Sequence, residues 1–372
     1  QHVFASTEHI TETTKYVYGT CLKEEVETEL SGGPATLTHK YSYEYNQRGL
    51  PSKIVYKFAD WDDDALNEIY TNFYFYDKAG RLTTETHRSG DNVQSISYSY
   101  NADGSLQKEM MGSLTHRQYV YNKGRLTSYL DKDGNPLATF SYDNLGNCTG
   151  YETDEKEVSM EWERGSLMTK FERTETENGT EKSTEATYFY NSRKVRYKKI
   201  VNETMTSYYY DGGKLEAEYD GNAEVEAGAD PTSRVIRYLY DSEGIVGIAV
   251  LHNHTVGGNY LYHFIKDGQG NVTGLIDYDR VIARYEYDTW GKCKVLNPDG
   301  TENTNENFIG NINPIRWKGQ YYDRESGMYY IGGRYYDPDI KRYISAVNPE
   351  EMLNRAGTVY GINPYLLTLT NP

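Results

Sequence analysis

The chain has 372 residues and a formal net charge of −16 at pH 7. This acidic balance argues against nucleic-acid binding, which depends on basic surface patches. The three cysteines, Cys21, Cys148 and Cys293, lie far apart without a CxxC pair, which argues against a zinc knuckle or a dense disulfide framework. Tyrosine occurs 39 times, and its large ring can supply the apolar surface of a core built from strands.

Hairpin repeats follow one another along most of the chain. Each unit reads aromatic-x-aromatic, then Asp or Asn, then in most copies a nearby Gly, and then an apolar residue or Thr. In chain order the units are YEYNQRGL at 43–50, YFYDKAGRL at 74–82, YSYNADGSL at 98–106, YVYNKGRL at 119–126, FSYDNLGNC at 140–148, YFYNSRKV at 188–195, YYYDGGKL at 208–215, YLYDSEGIV at 238–246 and YEYDTWGKC at 285–293. Divergent copies are MEWERGSL at 160–167 and HFIKDGQGNV at 263–272.

Each unit predicts one β-hairpin. Aromatic residues two apart lie on one face of a strand, and Asp or Asn with a following Gly favours a tight reversal. The aromatic residues assigned to the hairpins include Tyr45, Tyr74, Tyr76, Tyr98, Tyr100, Tyr119, Tyr121, Tyr142, Tyr208, Tyr210, Tyr238, Tyr240, Tyr285, Tyr287, Tyr335 and Tyr336. The turn residues include Asp77, Gly80, Gly104, Asp143, Asp211, Asp241, Asp288, Gly291 and Asp337.

The hairpins predict an all-β fold with one long antiparallel sheet, because a lone hairpin is only marginally stable in water. A dozen hairpins give roughly 24 strands and a ribbon on the order of 115 Å wide at about 4.8 Å per strand. Such a ribbon either winds into a hollow shell, or an arc of one, or folds into a two-layer sandwich. One short helix is predicted at 350–356, and the segments 152–185 and 297–313 are expected to form long hairpin tips or loops that are less regular than the repeats.

The Tyr-Asp unit resembles the YD repeat of the Rhs proteins, the wall-associated proteins, the C component of bacterial tripartite toxin complexes and the teneurin shell. The segments 268–292 and 317–346 are similar to the Rhs-associated core that follows such repeats. The resemblance implies a YD-repeat array at 1–260 and a core-like plug at 261–372. It further implies a secreted or cell-surface location and a non-catalytic shell, without cofactors, around a C-terminal toxin of the same polypeptide.

Members of this family often cut themselves at the end of the core, in a manner likened to an aspartyl protease. By resemblance, Arg334 matches the family's arginine, and Asp337 is a candidate remnant of the acid pair. The chain departs from the pattern at Val347-Asn348-Pro349, where many members have Asp-Pro. A complete acid pair is therefore not visible, and Asp337 has a second interpretation as a turn residue.

Two alternatives remain open at this stage. The tyrosine ladder is expected to serve sheet packing, but it could also present a glycan-binding or cell-adhesion surface, which is the second functional interpretation. His252, His254 and His263 could bind a metal, although a strand surface is favoured because no Cys or carboxylate pattern accompanies them. No stretch approaches the 18 apolar residues of a membrane-spanning helix, so none is predicted.

Overall fold

The structure is a computed structural model that describes residues 2–3, 9–31, 36–60, 63–177, 179–222, 234–242, 244–252, 260–278, 280–347 and 363–366. Twenty-five strands form one sheet and four form a second, smaller one. The predicted all-β fold is therefore confirmed. Within the described residues, no helix is long and apolar enough to cross a membrane.

The strands of the large sheet, called the ribbon below, have the following bounds. The first twelve are β1 (His2–Val3), β2 (His9–Tyr16), β3 (Lys23–Ser31), β4 (Leu37–Tyr45), β5 (Pro51–Asp60), β6 (Asp63–Tyr76), β7 (Leu82–Ser89), β8 (Asn92–Tyr100), β9 (Leu106–Met111), β10 (Leu114–Asn122), β11 (Arg125–Leu130) and β12 (Pro136–Tyr142). The other thirteen are β13 (Cys148–Glu152), β14 (Lys156–Glu163), β15 (Leu167–Glu177), β16 (Thr180–Tyr190), β17 (Arg196–Val201), β18 (Thr204–Asp211), β19 (Lys214–Asn222), β20 (Arg234–Tyr240), β21 (Ile245–His252), β22 (Tyr260–Lys266), β23 (Val272–Asp277), β24 (Arg280–Tyr287) and β25 (Cys293–Leu296).

The ribbon is a meander, because each strand pairs antiparallel with its neighbours in the chain, from β1 to β25. A bulge recurs where an aromatic-x-aromatic strand reaches its second aromatic. In the β6–β7 pair, Phe75 lies opposite Thr84 and Tyr76 opposite Leu82, which leaves Thr83 as the extra residue. Because bulges increase strand twist, their repetition accounts for the bending of the ribbon.

Alternate connections of a meander lie at opposite ends of its strands, so the ribbon has two rims. At the turn rim, each connection joins an aromatic-x-aromatic strand to its return strand. Many of these connections have five residues, as at 77–81, 101–105 and 143–147. At the variable rim, the fully described connections range from two residues at 90–91 to five residues at 131–135.

The ribbon curves until its first strands meet late ones. Ile10 and Leu30 of β2 and β3 pack in one apolar cluster with Ile265 of β22 and Ile276 of β23. This cluster is called the seam. No pairing joins β1 to β25 among the described strands, so the sheet is a wound, open ribbon rather than a closed barrel.

The smaller sheet lies against the ribbon and is called the plug, residues 321–343. Its strands are β26 (Tyr321–Asp323), β27 (Met328–Ile331), β28 (Arg334–Asp337) and β29 (Arg342–Tyr343). The plug contacts distant ribbon strands, since the Lys341 ammonium lies 3.0 Å from the Glu109 carboxylate and Arg117 donates to the Asp339 carbonyl at 2.7 Å. A short helix, α1 (Ile309–Ile312), and a 3₁₀ turn (Trp317–Gly319) connect the ribbon to the plug.

The segment 152–185, expected to form long hairpin tips or loops, is more regular than expected, because β14, β15 and β16 occupy most of it, with the apolar residues Val158, Met160 and Phe171 buried inside the ribbon. Their spacing within the Glu- and Thr-rich sequence has the period of two that a strand needs. The helix predicted at 350–356 lies outside the described residues. The domain boundary at residue 260 stays a prediction, and the ribbon continues past it to Leu296.

Candidate functional site

The predicted turn residues act through main-chain amides. The Asp77 carboxylate accepts hydrogen bonds from the amides of Ala79 and Arg81, both at 2.9 Å, and Gly80 has a φ of +85°. Asp143 and Asp288 accept from the residue four positions ahead in the same way. These local bonds are why an Asp and a Gly at fixed spacing form the reversal.

The remaining turn residues adopt related geometries. Gly104 and Gly291 have φ values of +82° and +93°, which is the left-handed region that favours glycine. Asp211 ends β18 opposite Lys214 across a two-glycine turn. The Asp241 carboxylate accepts from the Gly244 amide at 3.0 Å.

The two aromatics of a unit have different roles. The first ring is buried in the ribbon at Tyr74, Tyr98, Tyr119, Tyr208, Tyr238 and Tyr285. The second ring is less buried, and in most units its hydroxyl donates to a main-chain carbonyl near the start of the preceding return strand. The pairs, between 2.6 and 2.9 Å, are Tyr45 to Lys23, Tyr76 to Pro51, Tyr100 to Leu82, Tyr190 to Met168, Tyr210 to Arg196, Tyr240 to Leu215 and Tyr287 to Val272.

The divergent unit at 160–167 keeps the same bond with another residue type, because the Trp162 indole N–H donates to the Cys148 carbonyl at 2.6 Å. Arginines extend the network in the opposite direction. Arg81 donates to the Asn101 carbonyl at 3.1 Å, and Arg125 donates to the Asn144 carbonyl, also at 3.1 Å. The turns that contain these arginines are thereby linked to the following hairpins.

Tyr121 and Tyr142 occupy the second aromatic position of their hairpins and lie close to residues from the C-terminal part of the described chain. The Arg342 guanidinium lies 5.3 Å from the Tyr121 ring centroid, and Tyr365 meets the Tyr142 ring edge-on at 6.2 Å. Tyr335 and Tyr336, which the sequence assigned to the hairpins, lie in β28 of the plug and are fully buried. They therefore serve the contact between plug and ribbon.

Arg334 holds two segments of the core-like region together. Its guanidinium donates to the Ser345 carbonyl and, at 2.9 Å, to the Pro364 carbonyl, and it lies 3.8 Å from the Tyr343 ring centroid. Val347 is buried beside it, and its amide donates to the same Pro364 carbonyl at 3.0 Å. Asn348, the other residue of the departure from the family pattern, lies outside the described residues.

Asp337 is a turn residue in a buried environment. Its carboxylate accepts from the Asp339 amide at 2.8 Å, and its backbone pairs with Arg342. Burial, together with the nearby Asp339 carboxylate, raises the pKa of Asp337 to about 6. Burial also opposes ionisation of Asp339, but the Lys292 ammonium 2.7 Å away lowers the pKa of that carboxyl. The pair thus contains one carboxyl that is easily protonated and one that stays ionised.

The metal alternative gains no support from the described part of the chain. No group of three His, Cys, Asp or Glu side chains there is placed to hold a metal ion. His263 is buried in β22, with its Nε2 atom 3.7 Å from the Glu12 carboxylate of β2. His254 lies outside the described residues.

One buried residue was not singled out by the sequence reasoning. Arg196 begins β17 and is 1% exposed, and its guanidinium donates to Asp323 of the plug at 2.5 Å. The signal for it lies in the repeats, because the equivalent position pairs with the second aromatic and is otherwise mostly apolar. The apolar residues at this position include Leu82, Leu106, Leu126, Cys148, Met168, Leu215 and Ile245.

Comparison with known proteins finds long, toxin-related relatives. No protein-family model matches the chain. It is 28% identical over 295 residues to the tRNA3(Ser)-specific nuclease WapA of Bacillus spizizenii, covering 77% of this chain and 11% of that protein. It is 46% identical over 59 residues to toxin protein Tse5 of Pseudomonas aeruginosa, covering 16% of this chain and 4% of that protein. The chain thus spans a small part of the length of these relatives.

Among solved structures, the crystal structure of TcdB2-TccC3 is similar over 94% of this chain and 23% of its own, at 13% identity and a TM-score of 0.34. That score is too low to carry an argument. The match to WapA, in contrast, extends over 77% of this chain. The resemblance of the chain to YD-repeat proteins of the Rhs type is thereby confirmed.

Proposed function

We propose that the chain is a non-catalytic shell segment of a secreted or cell-surface bacterial polymorphic toxin, and that it encloses or displays an effector carried C-terminally on the same polypeptide. The observation that carries this proposal is the position of residues 363–366. Tyr365 is 2% exposed, and its hydroxyl donates to the Gly146 carbonyl of the turn rim at 2.8 Å. A polypeptide that continues from this point starts in contact with the ribbon.

The shape of the ribbon and the names of the relatives support the same role. A wound meander with a seam places one face of about two dozen strands toward an interior, as an enclosing wall requires. The relatives include a nuclease and a toxin, whose full lengths greatly exceed the part matched here. A wall shared by proteins with different effectors needs no catalytic residues of its own.

Imaging of purified parent polypeptide by electron microscopy tests the proposal. We expect a hollow particle with additional density inside, and slow protease digestion of the segment that follows residue 372 until the particle is denatured. The same segment expressed alone is the control for its intrinsic protease sensitivity. A solid or flat particle, or equal digestion rates for the enclosed and isolated segments, would contradict enclosure.

A second candidate function is glycan binding or cell adhesion, favoured by aromatic rings on the ribbon's exposed face. Tyr197 and Tyr209 are 44% and 56% exposed on the neighbouring strands β17 and β18. Phe189 of β16 lies beside Tyr197, with ring centroids 6.5 Å apart, and the Lys198 ammonium lies 4.1 Å from the Phe189 centroid. Exposed rings of this kind can stack on apolar sugar faces.

Glycan-array binding tests this second candidate. If the rings form a binding surface, a Tyr197→Ala and Tyr209→Ala variant should lose binding that the unchanged chain shows. Tyr278→Ala is the matched control, because Tyr278 is similarly exposed at 58% but follows β23, away from β17 and β18 in the sequence. No binding by the unchanged chain, or equal binding by both variants, would reject a glycan-binding surface here.

Self-processing is the weaker third candidate, and its support is the raised pKa of Asp337 beside Asp339. Two close carboxyls with separated pKa values are typical of an aspartyl pair. The intact mass of the parent polypeptide, compared with its Asp337→Asn and Arg334→Ala variants, tests it. A cut that persists in both variants, or an uncut unchanged chain, would remove this assignment.

A further inference from the structure

Arg196 replaces an apolar side chain in the interior of the repeat. Return strands place Leu82, Leu106 and Leu126 opposite the second aromatic of their hairpins, and these three side chains are at most 6% exposed. Arg196 lies opposite Tyr190 in the same way and is 1% exposed. A charge at this position is costly to bury unless it has partners, so the plug must supply them.

Tyrosine rings surround the Arg196 guanidinium. Its central carbon lies 5.4 Å and 5.0 Å from the ring centroids of Tyr188 and Tyr208, which belong to the ribbon. It lies 5.3, 4.3 and 6.0 Å from the centroids of the plug tyrosines, which are Tyr321, Tyr330 and Tyr335. Aromatic faces attract cations at these distances. The ribbon thus supplies the cation and part of its cage, and the plug supplies the rest.

Carboxylates of the plug balance the charges of the ribbon. Asp323, which is 0% exposed, accepts from Arg196 at 2.5 Å and from the Lys199 ammonium at 2.9 Å. Glu325 accepts from Lys199 at 3.1 and 3.0 Å through its two oxygens. Tyr188 donates to Glu325 at 3.0 Å. Two buried positive charges of the ribbon therefore meet two buried negative charges of the plug.

We propose that the plug is a separable docking module, that it binds the ribbon by enclosing the Arg196 guanidinium in its tyrosine cage against Asp323, and that it stays bound when the connecting chain is cut. The plug contributes three of the cage tyrosines, and these bind the Arg196 guanidinium of the ribbon. This inference deepens the proposed shell role by naming how the core-like segment is retained. Docking is measurable without any effector, so its failure and the failure of enclosure are distinct results.

Two physical arguments support retention. While the plug is bound, each of the four charged side chains has a buried partner of opposite sign, and removal of one such partner is strongly unfavourable because the other charge stays buried. Arginine also suits this role better than lysine, because its planar group stacks on rings and donates in several directions at once. Buried charges are little screened by salt, so the contact is expected to be insensitive to ionic strength.

The experiment cuts the full chain after folding. A recognition sequence for a site-specific protease is inserted beside Thr304, which is exposed in the connection between β25 and α1. After cleavage, size-exclusion chromatography in a urea series reports the fraction of C-terminal fragment released. We expect co-elution without urea, at about 0.1 M and about 1 M NaCl alike.

Three variants test the role of Arg196. Arg196→Leu introduces the apolar residue type that most other repeats have at this position, so the ribbon should keep its circular dichroism signal. The C-terminal fragment should dissociate at a lower urea concentration, and at a fixed urea concentration it should dissociate at least about tenfold faster. Arg196→Lys keeps the charge and should give intermediate release. Arg193→Leu is the control, because Arg193 is exposed in the turn of the same hairpin and should release like the unchanged chain.

Two results overturn the proposal. Release of the fragment from the unchanged ribbon without urea would show that the plug does not dock by itself. If the C-terminal fragment of Arg196→Leu dissociates at the same urea concentration as that of the unchanged chain, the cage does not hold the plug. If Arg196→Leu loses the ribbon's circular dichroism signal, the same comparison of urea concentrations is made with Arg196→Lys in its place.

Discussion

At the scale of residues, the tyrosine hydroxyl distinguishes this sheet from one that uses phenylalanine. The ring buries apolar surface, while the hydroxyl of the second aromatic reaches back to a carbonyl of the preceding hairpin, as Tyr76 and Tyr100 do. The divergent Trp162 preserves this N–H or O–H donor with a different ring. This donor accounts for tyrosine, rather than phenylalanine, at the second aromatic position.

Replacement of Tyr100 by phenylalanine isolates the hydroxyl. Tyr100→Phe removes the 2.7 Å bond to Leu82 and is expected to lower the free energy of unfolding by about 1 kcal/mol, measured by urea denaturation. Tyr209→Phe is the control, because Tyr209 is exposed on the outer face. Equal midpoints for the two variants would show that the carbonyl bond adds nothing.

Glu85 gives the fold a pH dependence near neutrality. Burial raises the pKa of its carboxyl to about 7, while Tyr98 donates to it at 2.5 Å, and Thr289 donates to its other oxygen. The Asp288 and Glu109 carboxylates and the Lys341 ammonium also act on it. The folded state then binds more protons than the unfolded state between about pH 4.5 and 7, so stability falls as the pH rises through this window.

Glu85→Gln is expected to remove that slope. At pH 8 the variant should be more stable than the unchanged chain by up to about 3 kcal/mol, and at pH 4 the two should be equal, in thermal or urea unfolding. Glu44→Gln is the control, because the Glu44 side chain is 66% exposed beside Lys53. A slope that survives in Glu85→Gln would assign the pH dependence to other groups.

Local chemistry made the turn residues predictable. The spacing of Asp77 and Gly80 predicts a tight turn that involves only five consecutive residues. The structure has this turn, with the Asp77 carboxylate bonded to the Arg81 amide and a positive φ at Gly80. Arg196 could not be identified in the same way, since its partner Asp323 lies 127 residues away. Only alignment of the hairpins by their turns, which places Arg196 among leucines, could have marked it.

At the scale of elements, one turn organises two strands and part of the next hairpin. The Asp77 carboxylate accepts from two amides, and it also pairs with the Arg81 side chain at 2.6 Å. Arg81 in turn bonds the Asn101 carbonyl of the following turn. The loss of the Asp77 carboxylate is therefore expected to destabilise its own hairpin and the following one.

Asp77→Ala is expected to destabilise the chain by about 1–2 kcal/mol, because the amides of Ala79 and Arg81 lose their acceptor. Hydrogen exchange should increase in β6, β7 and the turn at 101–105. Asp133→Ala provides a comparison, since that carboxylate is exposed and pairs only with Lys132 among the contacts described. Unchanged exchange at 101–105 would mean that the turns are independent of each other.

Hairpins and their sheet were predictable because each depends on neighbours in the sequence. The bulge opposite the second aromatic was not, although it recurs in most hairpins, because a register shift is visible only when two strands are paired. Thr83, the extra residue, resembles any other strand threonine in the sequence. In the structure its hydroxyl donates to the Phe75 carbonyl at 3.1 Å, which stabilises the bulge.

At the scale of the whole molecule, the seam connects parts of the chain that are more than 200 residues apart. Ile265 is fully buried between the late strands and the early ones. The choice between a wound ribbon and a sandwich was open from the sequence, because it depends on the summed twist of many strands. The seam and the docked plug decide it in favour of winding.

Truncation at the seam tests this long-range contact. Ile265→Ala is expected to cost about 2–5 kcal/mol and to increase hydrogen exchange in β2, β3 and β4 as well as in β22. Leu145→Ala, at a position that is 67% exposed, should change neither quantity. If β2–β4 keep their protection in Ile265→Ala, the two ends of the ribbon are not coupled.

The two rims differ in how many contacts their connections make, and this difference indicates where the chain tolerates insertions. At the turn rim, an insertion would break bonds to both neighbouring hairpins, as the contacts of Arg81 and Tyr100 show. At the variable rim, connection length already differs from hairpin to hairpin, and the two-residue link at 90–91 is exposed. Peptides or reporter domains are therefore best grafted between Ser89 and Asn92, which makes the ribbon a display platform that can be loaded from one side.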